Sequence, residues 1–363
     1  MRIVTVVGNR PQFVKAAAVS RRLRELHDER IVHTGQHYDD ALSRVFFDEL
    51  GVPAPDRQLD AGTGSNTAQT ARILAGLEGE IVDLDPDLVL VYGDTNSTLA
   101  GTLAAAQAGR PVAHVEAGMR SFDRAMPEEL NRVLCDHASD LLLCSTPRAV
   151  DNLAAEGIRH GVHMVGDVMA DVSLAFAEVA EERSRALAEH GLEPGGYLVV
   201  TAHRAGNVDA PERLAALVGV LEALPLPAVF PLHPRTAARL RAANLLERLE
   251  ASPGLRLVAP LGYLDFLVLA RHAHAVVTDS GGVQKEAYLL RTPCVTLRPS
   301  TEWVETVETG WNELVDLDRD RALRALERVA SGQVGVREHP ELYGGGHAAE
   351  RIGDLVDSYT SAR

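Results

Sequence analysis

Short apolar runs alternate with amphipathic stretches along nearly the whole chain. In the first half, runs at 2–7, 30–34, 88–92, 112–115, 141–144 and 163–165 read as strands, the richest of them almost unbroken Val and Leu. Strands covered on both faces look like this, because neither face needs a polar side chain. Between them, apolar positions spaced by three and four predict helices over 15–27, 39–50, 68–77, 97–107, 128–137 and 148–156. Near residues 167–171 the rhythm resets with a long polar helix, rich in Ala and Glu, reaching about residue 189. Strands are then expected at 197–201, 228–232, 255–258, 275–278 and 294–297, and a last amphipathic helix from about residue 345. Strand–helix alternation builds parallel sheets. The expected fold class is α/β, with two Rossmann-like domains, 1–170 and 171–363, and a ligand cleft between them. Ligands of such sheets bind beyond the carboxyl ends of the strands, so chemistry belongs directly after each run.

Composition narrows the class of ligand. At roughly 150 residues per domain, 363 residues fit two domains, and no apolar run approaches the ~18 residues of a membrane span. The opening MRIVTVVG reads as a strand rather than a signal peptide, which points to a cytoplasmic protein. A net charge of −15 argues against a nucleic-acid partner, which needs a broad basic face. Cys135, Cys144 and Cys294 form neither a disulfide framework nor a metal-binding pair, and no metal is expected. An anionic ligand must therefore meet local positive charge. Of 36 basic residues only Lys15 and Lys285 are lysines, so each marks a place where a guanidinium is a poor fit.

Several post-strand segments carry candidate chemistry. Gly8-Asn9-Arg10-Pro11-Gln12-Phe13-Val14-Lys15 follows the first strand: the glycine allows a tight turn, and Arg10 and Lys15 stand at a helix N-terminus, where anions bind. Gly93-Asp94-Thr95-Asn96-Ser97 follows another, and Asp94 either caps the next helix or faces a ligand. Glu116, in His114-Val115-Glu116-Ala117-Gly118, emerges straight from an apolar strand. Glu128, in Met126-Pro127-Glu128-Glu129-Leu130-Asn131-Arg132, opens a helix, where acidic residues also favour the dipole, and it has the spacing of a helix-face pair with Arg132. Three carboxylates at the ends of parallel strands are nonetheless suited to divide acid and base roles.

In the second half, His203 in Thr201-Ala202-His203-Arg204 can donate to a phosphate or exchange a proton near neutral pH. Asp279-Ser280-Gly281-Gly282-Val283-Gln284-Lys285-Glu286 lets backbone N–H groups approach a diphosphate, with Glu286 one turn on, placed to accept from ribose hydroxyls. Tyr343-Gly344-Gly345-Gly346 reads as a hinge. There is no complete G-x-G-x-x-G, so no bound nicotinamide and no other cofactor is expected.

Taken together, GNRPQFVK, YGDTNST, HVEAGMRS, MPEELNR, TAHR and TDSGGVQKEA resemble, in order and spacing, the non-hydrolysing UDP-N-acetylglucosamine 2-epimerase family. The resemblance runs from Gly8 to about Gly346. It implies the glycosyltransferase-B architecture, a last helix that crosses back onto the first domain, a UDP-sugar substrate, no cofactor and a homodimer. It implies interconversion of UDP-GlcNAc and UDP-ManNAc by elimination and re-addition of UDP. Asp94, Glu116, Glu128 and His203 would then be catalytic, the first three around the sugar. Arg10, His203, Ser280, Gly281 and Gly282 would hold the diphosphate, and Glu286 the ribose. Lys15 and Arg132 would support the sugar site.

The sequence departs from the family's usual pattern at several positions. Gly206 replaces a usual Glu near His203, Pro299 a usual Asp, and Trp303 an Arg common in bacterial members. Gln36-His37-Tyr38-Asp39 keeps part of a segment that binds a second, regulatory substrate in some members, but Asp39 replaces a Gln and brings negative charge toward a diphosphate. Hyperbolic kinetics are expected from that change. Thr301-Glu302-Trp303-Val304-Glu305 is equally similar to epimerases of a UDP-2,3-diacetamido uronic acid, the main alternative substrate. A hydrolysing epimerase, a glycosyltransferase and a catalytically silent sugar-nucleotide binder are more remote alternatives.

Overall fold

A computed structural model describes residues 1–36, 54–334 and 338–361; the side chains of Arg10, Thr360 and Ser361 lie outside that description. The first sheet is built from β1 (Arg2–Val7), β2 (Asp28–His33), β3 (Arg57–Gln58), β4 (Leu88–Tyr92), β5 (Val112–Ala117), β6 (Leu141–Cys144) and β7 (Val162–Met164). Every pairing is parallel and the order is β3-β2-β1-β4-β5-β6-β7. All five residues of β4 are fully buried, as a central strand covered on both faces must be. The accompanying helices are α1 (Arg10–Leu26), α2 (Asn66–Leu84), α3 (Asn96–Gln107), α4 (Pro127–Ala138) and α5 (Pro147–Ala155); α6 (Val168–Arg183) starts in the same unit and ends in the next, to which α7 (Ala186–Glu189) belongs.

The second sheet comprises β8 (Leu198–Thr201), β9 (Ala228–Pro231), β10 (Leu255–Val258), β11 (Ala275–Thr278), β12 (Cys294–Thr296) and β13 (Asn312–Leu314), parallel throughout in the order β10-β9-β8-β11-β12-β13. Its helices are α8 (Ala205–Val208), α9 (Pro211–Leu221), α10 (Pro234–Ala242), α11 (Leu246–Glu250), α12 (Tyr263–His272), α13 (Gly281–Leu289), α14 (Val304–Glu308) and α15 (Arg319–Ala330), and the chain closes with α16 (Ala348–Ser361). In both sheets the connections run outward from the first strand, then jump to its other side. The switch points therefore fall between β1 and β4 and between β8 and β11.

The chain divides into two compact units, Met1–Val172 with Glu341–Arg363, and Ser173–Pro340. Residues 341–363 thus belong with the first sheet. There, Arg22 of α1 donates to Asp354 of α16 at 3.0 Å, and Asp171 caps α16 by accepting from the N–H groups of Ala348 (3.0 Å) and Ala349 (2.7 Å). Gly344, Gly345 and Gly346 all have positive φ, and the carbonyl of Tyr343 accepts from the Asp167 N–H at 2.9 Å.

Two local expectations are corrected. The polar helix expected to residue 189 is two helices, α6 and α7, and α6 buries Val168, Val172, Phe176, Ala177 and Ala180 on one face. Gly8 has no positive φ. A Cβ there would overlap Ser97 and stand 2.5 Å from Thr34 Oγ1, so the glycine serves close approach rather than a tight turn. No described helix is long and apolar enough to cross a membrane.

Candidate functional site

The switch point of the first sheet gathers most of the candidate residues of that half. Asn9 caps α1, accepting from the Gln12 N–H at 3.1 Å, and Pro11 sits in its first turn. Arg10 opens the helix, but its side chain is outside the described residues. At the end of β4, Gly93 turns with φ +65°, and Thr95, not Asp94, caps α3 through a reciprocal box with Thr98. Asp94 is thereby released from capping. Its carboxylate pairs with Arg132 of α4, and about a third of it is exposed.

Glu116 is placed by an irregularity in the strand. The β5–β6 register shifts between Val115 and Ala117, and Glu116 takes a left-handed φ of +68°. Bulges of this kind re-aim a side chain at the price of ladder pairing. The redirected carboxylate pairs with Lys15 of α1, and both side chains are nearly buried. A Cβ on Gly93 would lie 3.3 Å from Glu116 Oε2 and 3.8 Å from Lys15 Nζ, so this ion pair rests on the turn that carries Asp94. Burial works against the Lys15 ammonium, yet Glu116, helped by Asp167 and Asp94, holds its pKa above the usual lysine value.

A pocket of about 470 Å³ opens beside this turn, lined by Asp94, Glu128 and a set of side-chain amides. The amides brace one another. Asn96 donates to Gln69 at 2.9 Å, Gln69 to the carbonyls of Gly62 (3.2 Å) and Gln36 (3.3 Å), and Asn131 to the Asp94 carbonyl at 3.0 Å. Gln36 Oε1 accepts from Ser97 Oγ at 2.6 Å. His37 and Asp39 lie outside the described residues. Glu128 is exposed on the pocket wall, whereas Glu129, unremarked in the sequence, is buried and accepts from Ser121 and Phe122 N–H groups at 2.8 and 3.0 Å. The Glu128–Arg132 pair that helix spacing offered is replaced: Arg132 pairs with Asp94 and, at 3.3 Å, Glu129.

The second sheet builds its site around a buried carboxylate that the sequence reading passed over. Asp279, at the end of β11, accepts from the N–H groups of His203 (3.1 Å) and Arg204 (3.0 Å) and from Asn207 Nδ2 (3.2 Å). It fixes the loop after β8. Gly206 lies in the short helix α8 that follows, with nothing within 4 Å of a built Cβ, so a Glu at this position would have no packing duty. His203 faces His233, ring centroids 5.3 Å apart. Burial, opposed by Asp279 but reinforced by His233 and Arg204, lowers the His203 pKa, leaving a neutral ring with one N–H near pH 7.

Ser280, Gly281 and Gly282 start α13, where Gly282 is exposed and Gly281 is packed so closely by Glu302 that a side chain would overlap it. Glu302 pairs with Arg298 at 2.8 Å and Arg204 at 3.6 Å. Glu286 accepts from Tyr263 Oη at 3.1 Å, and burial raises its pKa to about 7. Lys285 is buried with its ammonium 4.4 Å from the Trp303 ring centroid, which gives Trp303 a packing role.

Two parallel Rossmann-type units, each with its chemistry-bearing residues at the switch point, place the chain in the glycosyltransferase-B class of architectures. The sequence profile described as UDP-N-acetylglucosamine 2-epimerase matches residues 21–357. Among its relatives, a UDP-2,3-diacetamido-2,3-dideoxy-D-glucuronate 2-epimerase of Pseudomonas aeruginosa is 45% identical, covering 98% of this chain and 99% of its own. A UDP-N-acetylglucosamine 2-epimerase of Methanocaldococcus jannaschii is 40% identical, covering 97% and 98%. The crystal structure of the M. jannaschii UDP-GlcNAc 2-epimerase in complex with UDP-GlcNAc and UDP matches with a TM-score of 0.83 and 38% identity, over 99% of this chain and 100% of that one. The chain belongs to the UDP-N-acetylglucosamine 2-epimerase family.

Proposed function

We propose that this chain interconverts UDP-N-acetylglucosamine and UDP-N-acetylmannosamine, inverting C2 without hydrolysis by eliminating and re-adding UDP. The observation that carries the proposal is convergence: Asp94 and Glu128 share one pocket, and the Lys15–Glu116 pair rests on the turn that holds Asp94. The C2 hydrogen of an amino sugar is not next to a carbonyl. A carboxylate base therefore takes the C2 proton while the C1–O bond breaks, the C2–H electrons form a C1=C2 double bond, and UDP leaves with the electrons of the broken bond. Return of a proton to the opposite face of C2 and attack of the UDP oxygen at C1 complete the inversion.

Asp94, Glu116 and Glu128 form the acid–base set. Lys15 and Arg132 pair with Glu116 and Asp94 and place positive charge beside the reacting carboxylates. Arg10, a neutral His203 donating one hydrogen bond, and the backbone of Ser280, Gly281 and Gly282 hold the diphosphate, with Glu286 on the ribose. No added cofactor or metal is required, and the assembly is a homodimer. Met126, just before α4, and Leu130 and Leu134 on it are exposed and suit such a contact; a single-chain mass in light scattering rules the dimer out.

Turnover in D2O tests the chemistry. Deuterium is expected at C2 of recovered sugar nucleotide, and an epimerised product without it rules out elimination. A second reading, epimerisation of UDP-2,3-diacetamido-2,3-dideoxyglucuronic acid, is favoured by the 45% identity to the P. aeruginosa enzyme. Product NMR with each UDP-sugar in turn separates the two, and binding without turnover of either identifies a silent binder.

A further inference from the structure

We infer that His114 is a positioning residue for this reaction: an imidazolium locked between Asp136 and the Gly93 carbonyl, which ties the turn carrying Asp94 to the strand end carrying Glu116. The inference rests on the roles proposed above for those two carboxylates. His114 is fully buried in β5. Its Nδ1 lies 2.8 Å from Asp136 Oδ1 and its Nε2 2.7 Å from the Gly93 carbonyl oxygen. A carbonyl oxygen only accepts. Asp136 only accepts as well, because its other oxygen already takes hydrogen bonds from the Gly118 N–H at 3.0 Å and Arg120 Nη1 at 2.7 Å. A neutral imidazole has a single N–H, so satisfying both partners requires the doubly protonated ring.

The surrounding charges agree. Despite burial, the Asp136 pKa is lowered, by His114 first and then Arg120, and Arg120 is held from behind by Glu156 at 2.7 Å. The groups facing the ring are Asp136 from α4, Gly93 from the β4 turn and Glu116 from β5 itself, with Lys15 of α1 paired to Glu116. Burial opposes the imidazolium, but Asp136, Gly93 and Glu116 together raise its pKa above 6.5. Protonation of His114 therefore stabilises the fold fully below pH 6.5, and that contribution fades only as pH rises through the higher folded value.

The backbone shows why such a clamp is needed. Gly93 N–H donates to Val115 O at 3.0 Å, and beyond this point the register shift takes Glu116 out of regular pairing. His114 Nε2 occupies the Gly93 carbonyl at that place. One side chain thus satisfies the Gly93 carbonyl and holds two strand ends at the spacing their carboxylates need.

The full-length protein labelled with ¹⁵N-histidine tests the charge state. His114, assigned by the signals lost in His114→Gln, is expected to show both ring nitrogens protonated at about pH 7, where a free imidazole is mostly neutral; a ring with one bare nitrogen overturns the inference. His114→Gln and Asp136→Asn are expected to lower kcat roughly 10- to 100-fold, the size of effect that sub-ångström misplacement of reacting groups produces, with KM and UDP affinity within about threefold. An unchanged kcat in either folded variant also overturns it, and if His114→Gln does not fold, Asp136→Asn carries the kinetic test. The NMR measurement needs no turnover. A wild-type chain that binds UDP without epimerising anything counts against the proposed function, whereas a singly protonated His114 counts against this inference.

Discussion

Exchanging Glu116 for alanine and for glycine should invert their usual order of stability. Both substitutions delete the carboxylate and both leave Lys15 without its Glu116 partner, so those losses cancel in the comparison. The backbone at φ +68° remains. An L-residue in the left-handed region costs about 1–2 kcal/mol, which glycine avoids. Glycine in turn loses about 0.4–1 kcal/mol through the greater freedom of its unfolded chain. The balance leaves Glu116→Gly more stable than Glu116→Ala by about 0.5–1 kcal/mol, whereas at an ordinary position glycine is the less stable by a similar amount. A chain with two compact units need not unfold in one step, so the first unit must be followed separately. Trp303 and Trp311 both lie in the second unit, so tryptophan fluorescence reports that unit alone, while far-UV circular dichroism reports both. The transition seen by circular dichroism and not by fluorescence should melt up to about 4 °C higher in Glu116→Gly. Both variants should lose at least about 10²-fold in kcat. An alanine variant as stable as the glycine variant refutes the left-handed placement of Glu116.

Asp94→Asn should lower kcat at least about 10²-fold while UDP affinity, measured by calorimetry, changes little, since Asp94 belongs to the first unit and the proposed ribose and diphosphate contacts lie mainly in the second. A large loss of UDP affinity with near-normal kcat reverses the assigned roles. For Glu286, burial raises the carboxyl to about 7 from 4.5, against the Tyr263 hydroxyl and Lys285. Between those values the unfolded chain has released a proton that the folded chain keeps, so stability falls as pH rises from about 4.5 to 7 and levels off above. Glu286→Gln should flatten that decline in the fluorescence-detected urea midpoint; an identical slope in variant and wild type refutes the buried carboxyl.

The amino-acid sequence determined where most strands lie, because a parallel strand covered on both faces must be apolar at every position. The runs at 88–92, 141–144 and 275–278 coincide with β4, β6 and β11. It also placed Asp94 and Ser280 directly after strands, at positions that become the switch points. The edge strands β3 and β13 carry no such signal. Arg57–Gln58 and Asn312–Leu314 are short and polar, and they are strands only because β2 and β12 offer them a ladder. Partner choice was equally hidden. Helix spacing offered Glu128 to Arg132, but the fold brings Asp94 there from 38 residues away. Asp136 reaches His114 across 22 residues, and Asp279 gathers the His203 loop across 76. Periodicity and capping are set by neighbours within a turn of helix or a few residues of strand. The left-handed Glu116, its pairing with Lys15 and the charge on His114 depend on how β4 and β5 end beside each other, which long-range register and packing decide.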